Sequence, residues 1–437
     1  MESSLIPILY LLSDRVTEWG PGQWCAAACS GDNVDGNLGV LMANAATLPA
    51  QAPTISPMSA SQDSVSIPWY SWTAVLAATA VIVGLYWDIS WHQTIGRDTF
   101  WTPAHLCIQF CAVLSGLSCG YLILSTTFGH DQVAKDASVR IWGFYGPLGA
   151  FVAAWGGVAM ITSAPFDNWW HNAYGLDVEI LSPPHVLLAI GITAIAWGNI
   201  LLVLSKMNRA RDVLQRKLQW ILLYLAGTIV ILDMILKLEY SSRVLMHSAV
   251  FYKVVCIALP FAMVALARAS RKRWAMTIMA AVYSLFNLLM LWILPLFPAQ
   301  PKLGPVYQHI THMDPLYFPV LLIAPAFVLD LVWPRMDGWN RWLQAGTAGS
   351  LFLIVLVAVQ WPFADFLMSP ASHNWFFGTK YVGYFQGMDD PEVRNVFIPF
   401  ELTGREFSIT MAWALAAAIV SVRIGITWGN WLREVKR

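Results

Sequence analysis

Long uninterrupted blocks of apolar residues constrain the fold of this 437-residue chain more than any other feature. Hydrophobic residues make up 57% of the sequence and charged residues only 12%, which is about half the charged fraction of an ordinary soluble domain. A helix that crosses a bilayer needs about 20 mostly apolar residues, and ten segments come close to that length. The sequence therefore predicts an all-α, polytopic transmembrane helical bundle of about ten spans.

This pattern divides the chain into three regions. Residues 1–68 contain a short apolar start and a stretch rich in Ala, Ser, Pro and Gln, which predicts a poorly ordered N-terminal segment. Residues 69–205 hold the first four predicted spans, and residues 206–437 hold the others. The predicted spans cover residues 69–88, 102–127, 141–164, 183–205, 218–237, 246–267, 274–296, 316–333, 343–361 and 407–428.

Basic residues between the spans predict how the chain is oriented. The strongly basic connections follow even-numbered spans, and the C-terminus is basic as well. Because Lys and Arg are enriched on the cytoplasmic side of membrane proteins, both termini are predicted to be cytoplasmic. Connections after odd-numbered spans are then predicted to face outward. The basic residues concerned are Lys206, Arg209, Arg211, Arg216, Lys217, Arg268, Arg271, Lys272, Arg273, Arg335, Arg341, Arg433, Lys436 and Arg437.

Several function classes have no support in the sequence. The 26 basic and 26 acidic residues balance, so there is no electrostatic footprint for nucleic acid. Nucleotide-binding glycine loops, serine-hydrolase elbows and zinc-protease motifs do not occur. The expected surroundings of the chain are a lipid bilayer.

The histidines are concentrated on one predicted side of the membrane. Eight of the nine lie in or next to predicted outward connections, whereas His130 lies on the cytoplasmic side. Interfacial polarity explains part of this bias, but scattered packing histidines would not divide so unevenly. The eight are His92, His105, His171, His185, His247, His309, His312 and His373.

Two matching carboxylate–histidine clusters stand out among them. In the first, Asp88 and His92 are four residues apart and share one helix face, and His105 follows a proline at the head of the next span. One carboxylate and two imidazoles with open positions can bind copper, iron or zinc.

The second cluster, Asp167, His171 and His185, repeats the same plan at the next outward connection. A single buried histidine is more often an interfacial polar residue than a ligand. Two triads at matching helix positions reverse that preference, because ionisable groups within a bilayer are costly and usually functional. The sequence therefore predicts six metal ligands in two sites.

The stretch HQTIGRDTFWTPAHL, residues 92–106, resembles the signature of the C subunit of copper membrane monooxygenases, the particulate methane and ammonia monooxygenases. The resemblance covers about residues 69–205. It implies copper as the cofactor, Asp88, His92 and His105 as its ligands at the catalytic centre, and the bacterial inner (plasma) membrane as the location.

The neighbouring site of that family uses one Asn and two His with the spacing of Asp167, His171 and His185. The resemblance implies the two histidines as ligands, whereas the aspartate departs from the family pattern and adds a negative charge. Arg97 and Asp98 lie inside the signature stretch, which favours a role in orienting an imidazole or carrying protons over a surface ion pair.

The C-terminal half is similar to the closing half of the family's A subunit, in HMDPLYFPVLLIAPAFVLDLV, QWPFADFLMSP, YFQGMDDPEVRNVF and GREFS. This similarity implies a fusion of C-like and A-like membrane parts. The alternative is that residues 206–437 are unrelated transmembrane helices. No outward connection is long enough for the cupredoxin-like domains of the family's B subunit, so a separate periplasmic subunit, and homo-oligomers, are expected as partners.

Two functional hypotheses remain open from the sequence. In the first, the chain is a subunit of a copper-dependent monooxygenase that hydroxylates a small apolar or ammonia-like substrate with dioxygen. In the second, it is a copper-binding transporter or assembly factor without oxygenase activity. Two smaller predictions are that Asp233 and Lys237 neutralise one another and that the sequence HITHMD, which ends at Asp314, forms either a further metal site or a polar interfacial loop.

Overall fold

Helices account for nearly all of the regular structure in the computed structural model, which describes residues 66–96, 99–174, 182–238, 240–241, 245–302, 310–382 and 401–437. Within these ranges, nine helical segments are long and apolar enough to cross a membrane. The predicted all-α polytopic bundle is therefore confirmed. Except for residues 66–68, the predicted N-terminal segment lies outside the described residues.

The elements follow one another as antiparallel hairpins, with a small two-stranded sheet after the second helix. In chain order they are α1 (Trp69–Thr94), α2 (Pro103–Phe128), α3 (Gln132–Asp136), β1 (Val139–Ile141), β2 (Phe144–Gly146), α4 (Leu148–Tyr174), α5 (Pro183–Met207), α6 (Asp212–Leu236), α7 (Ala249–Cys256), α8 (Leu259–Ser270), α9 (Ala275–Ile293), α10 (Ile323–Val332), α11 (Arg341–Leu367) and α12 (Gly404–Leu432). Strands β1 and β2 are antiparallel and pair Arg140 with Tyr145.

The first four membrane helices form two hairpins, α1–α2 and α4–α5, which pack side by side through α2 and α4. Glycines allow the backbones to approach closely, as is common between membrane helices. A Cβ atom at Gly198 of α5 would lie 2.5 Å from the backbone nitrogen of Ala153 in α4. A Cβ atom at Gly157 of α4 would lie 3.0 Å from the carbonyl oxygen of Ala112 in α2.

Helix α6 connects these hairpins with the second half of the chain. It packs against α1 and α5 on one side and against α8 and α9 on the other. Of the nine candidate spans in the described residues, α6 has the largest buried share, 72% of its most apolar stretch. The apolar core is therefore continuous between the N-terminal hairpins and the C-terminal helices.

The predicted span 316–333 differs from a full-length helix. Only Ile323–Val332 is α-helical, because Pro315 and Pro319 exclude the preceding residues from a regular helix. Non-helical backbone inside a membrane protein must find hydrogen-bond partners within the protein. The Val320 amide donates to the Tyr283 hydroxyl at 3.1 Å, and the Leu321 amide donates to the Gln360 side chain at 2.9 Å.

The sixth span is also interrupted, between α7 and α8, where Ala258 has a positive φ of 65°. The hydroxyl of Ser421 on α12 accepts a hydrogen bond from the Ala258 amide and donates one to the Cys256 carbonyl, both at 3.1 Å. The Lys237 ammonium donates to the Ile257 carbonyl and pairs with Asp233 at 2.6 Å. The predicted Asp233–Lys237 pair is therefore confirmed, and it also stabilises the helix break.

Candidate metal centre

The first predicted triad lies where α1 ends and α2 begins. Asp88 and His92 belong to the last two turns of α1, which ends at Thr94. A turn in which the Thr102 amide donates to the Thr99 carbonyl at 2.9 Å leads the chain into α2. Helix α2 starts with a proline at its first position, where no amide is needed. His105 is therefore the third helical residue, directed back toward the end of α1.

Within this triad, one carboxylate oxygen faces both imidazoles. Oδ1 of Asp88 lies 3.1 Å from Nε2 of His105 and 3.9 Å from Nε2 of His92. One donor atom from each of the three side chains can be chosen so that all lie within 4.8 Å of one another. Ligands bound about 2.0–2.2 Å from one ion lie roughly 3–4 Å apart, so the spacing suits a single metal ion.

A backbone carbonyl in the turn between α1 and α2 orients the His105 ring. Nδ1 of His105 lies 3.0 Å from the carbonyl oxygen of Thr99, which can only accept, so Nδ1 is the donor in this contact. Nε2, the other ring nitrogen, faces Asp88. Oδ1 of Asp88 is buried and accepts no hydrogen bond from the described residues. A cation between these atoms would satisfy both.

The second triad occupies matching positions between α4 and α5. Asp167 and His171 lie in the last two turns of α4, and His185 is the third residue of α5, which begins with two prolines. Nε2 of His171 lies 3.4 Å from Oδ2 of Asp167, and Nε2 of His185 lies 3.6 Å from Oδ1 of the same carboxylate. As in the first triad, this Oδ1 is buried without a hydrogen bond from the described residues.

The two triads nevertheless differ in how their donor atoms converge. In the first, both imidazoles face one carboxylate oxygen, whereas in the second each imidazole faces a different oxygen of Asp167. Among the described residues, only the first triad brings three donor atoms within 4.8 Å of one another. The first triad is therefore shaped for one ion, and the second is a carboxylate bridging two imidazoles.

Both triads lie at the same end of the two packed hairpins. The close contact between Gly157 and Ala112 is seven residues from His105 and ten residues from Asp167 along the chain. At 1.5 Å per helical residue, these separations correspond to about 10 and 15 Å along the helix axes. The predicted grouping of the two triads on one side of one bundle agrees with this placement.

The other predicted site residues are distributed differently. Arg97, Asp98 and His309 lie outside the described residues, so their predicted roles stay predictions. His312 stacks on the Tyr381 ring with centroids 3.7 Å apart. The backbone of Asp314 contacts α1 beside the first triad, through an amide that donates to the Thr94 hydroxyl at 2.9 Å.

One further histidine–carboxylate pair joins two distant parts of the sequence. Nε2 of His247 lies 3.3 Å from Oδ1 of Asp365 and 3.2 Å from the carbonyl oxygen of Trp361. The partners are more than 100 residues apart along the chain, so no spacing motif could have revealed them. Asp365 is 65% exposed, so the pair lies at the surface and joins the turn before α7 to α11.

No family model, curated protein or solved structure matches the chain. The resemblance to copper membrane monooxygenases therefore rests on the sequence motifs given above. The geometry of the triads and the multi-pass membrane architecture do not depend on that resemblance.

Proposed function

We propose that the chain is the metal-binding membrane part of a copper-dependent monooxygenase, which hydroxylates a small apolar or ammonia-like substrate with dioxygen. The observation that carries this proposal is the convergence of Asp88, His92 and His105 at the end of the α1–α2 hairpin. Three protein ligands leave open positions at a bound ion, as catalytic metal sites require.

The donor set suits a redox-active transition metal. One carboxylate oxygen and two imidazole nitrogens are suitable ligands for copper, iron or zinc, and the resemblance of residues 92–106 favours copper. Copper bound there would supply a redox-active binding site for dioxygen, and the two electrons of each turnover would come from an external donor. The side chains contribute ligand geometry: Thr99 holds the His105 tautomer, and the carboxylate of Asp88 balances part of the ion's charge.

The surroundings of the triad leave one side of the site accessible. His92 is 49% exposed at its side chain, whereas Asp88 is 18% exposed. Phe100 and Trp101, in the connection between α1 and α2, are exposed and in edge-to-face contact at 4.8 Å. Exposed aromatic rings at this level are typical of the membrane–water interface, where a small apolar substrate and a periplasmic electron-donating partner can both approach.

The proposal includes an orientation in the bacterial inner membrane with both termini cytoplasmic. Two basic segments meet at one end of the bundle, because Nε of Arg433 donates to the Arg268 carbonyl at 2.7 Å. The basic connection between α5 and α6 lies at the same end, since the Asn208 side chain donates to the Leu432 carbonyl at 2.9 Å. This clustering supports a common cytoplasmic face. Labelling of single cysteines introduced at positions 210 and 271 should occur only from the cytoplasm, and labelling from outside would refute the orientation.

The function is tested with the detergent-purified chain and any periplasmic subunit that co-purifies with it. The assay supplies a chemical reductant such as a quinol, and it measures incorporation of oxygen-18 from dioxygen into the oxidation products of ammonia, methane and short alkanes. We expect product with the wild type and none with Asp88→Ala. Copper-loaded protein that forms no product, but moves copper across proteoliposomes, would refute the oxygenase proposal in favour of a copper transporter.

A further inference from the structure

A segment from the second half of the chain is attached to the helix turn that carries two of the three predicted ligands. Both backbone groups of Asp314 bind hydroxyls of α1. The Asp314 amide donates to Thr94 Oγ1 at 2.9 Å, and the Ser90 hydroxyl donates to the Asp314 carbonyl at 2.6 Å. The Thr94 hydroxyl also donates to the Ser90 carbonyl at 2.6 Å, so its hydrogen-bonding capacity is used on both sides.

The two hydroxyls lie behind the ligands on the same two helical turns. Ser90 and Thr94 are four residues apart, as are Asp88 and His92, and each hydroxyl residue follows its ligand by two positions. Two helical residues correspond to a rotation of about 200°, so the hydroxyl pair and the ligand pair occupy nearly opposite faces of α1. Ser90 and Thr94 are buried, at 0% and 2% exposure. The second half of the chain therefore contacts these turns of α1 on the face opposite the ligands.

The attached segment is itself anchored. The Met313 amide donates to the Phe297 carbonyl at 3.0 Å, and the Ala299 amide donates to the Thr311 carbonyl at 3.0 Å. A second contact is made at the end of α1, because the Lys302 amide donates to the carbonyl of Ile95, the residue that follows the helix, at 2.9 Å. Two separate points of the segment thus fix the last turn of α1.

Within the part of the chain that the structure describes, the second triad has no counterpart of this support. The residues of α4 that follow its ligands by two positions are Trp169 and Ala173, which carry no hydroxyl. Trp169 is 54% exposed and stacks on Phe166 of its own helix. The first triad, whose donor atoms converge on one point, is thus also the triad whose ligand-bearing helical turns are hydrogen-bonded on their opposite face.

We infer that Ser90 and Thr94 are positioning residues for the metal centre, through which the segment around Asp314 fixes the spacing of Asp88 and His92. This inference rests on the proposed metal function of the first triad. It makes the described residues 297–302 and 310–314 a structural part of the centre, although they supply no ligand to the triad. Groups that orient metal ligands typically change metal affinity by about 10- to 100-fold when removed.

The test compares Thr94→Val, Thr94→Ser and Ser90→Ala with the wild type in the full-length, detergent-purified chain. Thr94→Val keeps the shape of the side chain and removes the hydroxyl, whereas Thr94→Ser retains it. The matched control is Thr79→Val on the same helix, which removes a hydroxyl bonded to Tyr224 at 2.5 Å and lies nine residues before Asp88. The readouts are the dissociation constant for Cu(II), its electron paramagnetic resonance spectrum, and hydrogen–deuterium exchange of residues 310–322 in the metal-free protein.

We expect Thr94→Val and Ser90→Ala each to weaken copper binding about tenfold, to change the spectrum, and to increase exchange near Asp314. Thr94→Ser should restore the wild-type values, and Thr79→Val should leave copper binding unchanged. Unchanged affinity and spectrum in both hydroxyl-deleted variants would overturn the inference while the proposed function stands, and so would an equal loss in Thr79→Val. A wild type that binds no copper would instead remove the proposed function, and this inference with it.

Discussion

Replacing His105 or His185 by alanine distinguishes the two triads with a matched pair of variants. Each histidine is the third residue of a helix that begins with proline, and each faces a carboxylate on the preceding helix. The folding costs of the two substitutions should therefore be similar. We expect His105→Ala to lose most of the bound copper and His185→Ala to keep it, because only the first triad converges on one point.

The expected loss of copper affinity follows from the fraction of the metal ligands that the substitution removes. Structural sites with four protein ligands bind zinc with apparent free energies of about 10–16 kcal/mol, which corresponds to roughly 3 kcal/mol per ligand. Losing His105 should therefore raise the copper dissociation constant by on the order of 100-fold or more. The cost to folding is smaller, because the lost Nδ1–Thr99 hydrogen bond contributes only about 1 kcal/mol.

The assay is copper per chain after equilibration at a fixed free copper concentration, with thermal unfolding in the same detergent as the folding control. Equal copper loss in both variants would show that the two triads bind as one unit. Loss in His185→Ala alone would refute the geometric reasoning, since the convergent triad would then not be the stronger site.

Three further predictions address charge, acidity and packing. Asp167→Asn keeps a side-chain oxygen near His171 and His185 while removing the charge, so copper content should fall by less than half. Complete loss of copper in metal analysis would show that the second triad is the stronger copper site. Imidazoles bind metal only in their neutral form, so copper loading should be retained at neutral and alkaline pH and should decrease on acidification. Once both rings of the first triad are protonated, the copper affinity should fall by up to about 100-fold per pH unit. A pH-independent affinity would exclude His92 and His105 as ligands. Gly198→Leu should destabilise the α4–α5 hairpin by about 1–3 kcal/mol or more, because a Cβ atom there would lie 2.5 Å from the Ala153 nitrogen. At Gly120 a Cβ atom would meet no atom within 4 Å, so Gly120→Leu should leave the unfolding temperature unchanged.

The membrane bundle could be predicted from the sequence because span length and apolarity are local properties. The observed helices differ from the predicted spans where an apolar segment contains a residue that cannot continue the helix. The span predicted at 316–333 is apolar throughout, but Pro315 and Pro319 restrict its helix to Ile323–Val332. The break at Ala258 comes just before Pro260, which lies in the first turn of α8. Its backbone groups bind Ser421 of α12 and Lys237, the residue after α6, which lie far away in the sequence.

The candidate centre was predictable for a related reason. The spacing of Asp88 and His92 places both on one helix face, and a short connection returns His105 to them. The support behind these ligands was not predictable, because the Asp314 backbone meets Ser90 and Thr94 across more than 200 residues of sequence. Backbone groups leave no residue-type signal at such a distance. The difference between the triads was hidden as well, since it depends on which carboxylate oxygen each imidazole faces.

Metal analysis of the detergent-purified wild type against His92→Ala tests the central claim most directly. The account predicts that copper co-purifies with the wild type in a ratio close to one ion for the first triad. It also predicts that His92→Ala, folded to the same extent, retains little of that copper. Wild-type protein that binds no copper when copper is supplied, or His92→Ala that keeps the full amount, would contradict the account.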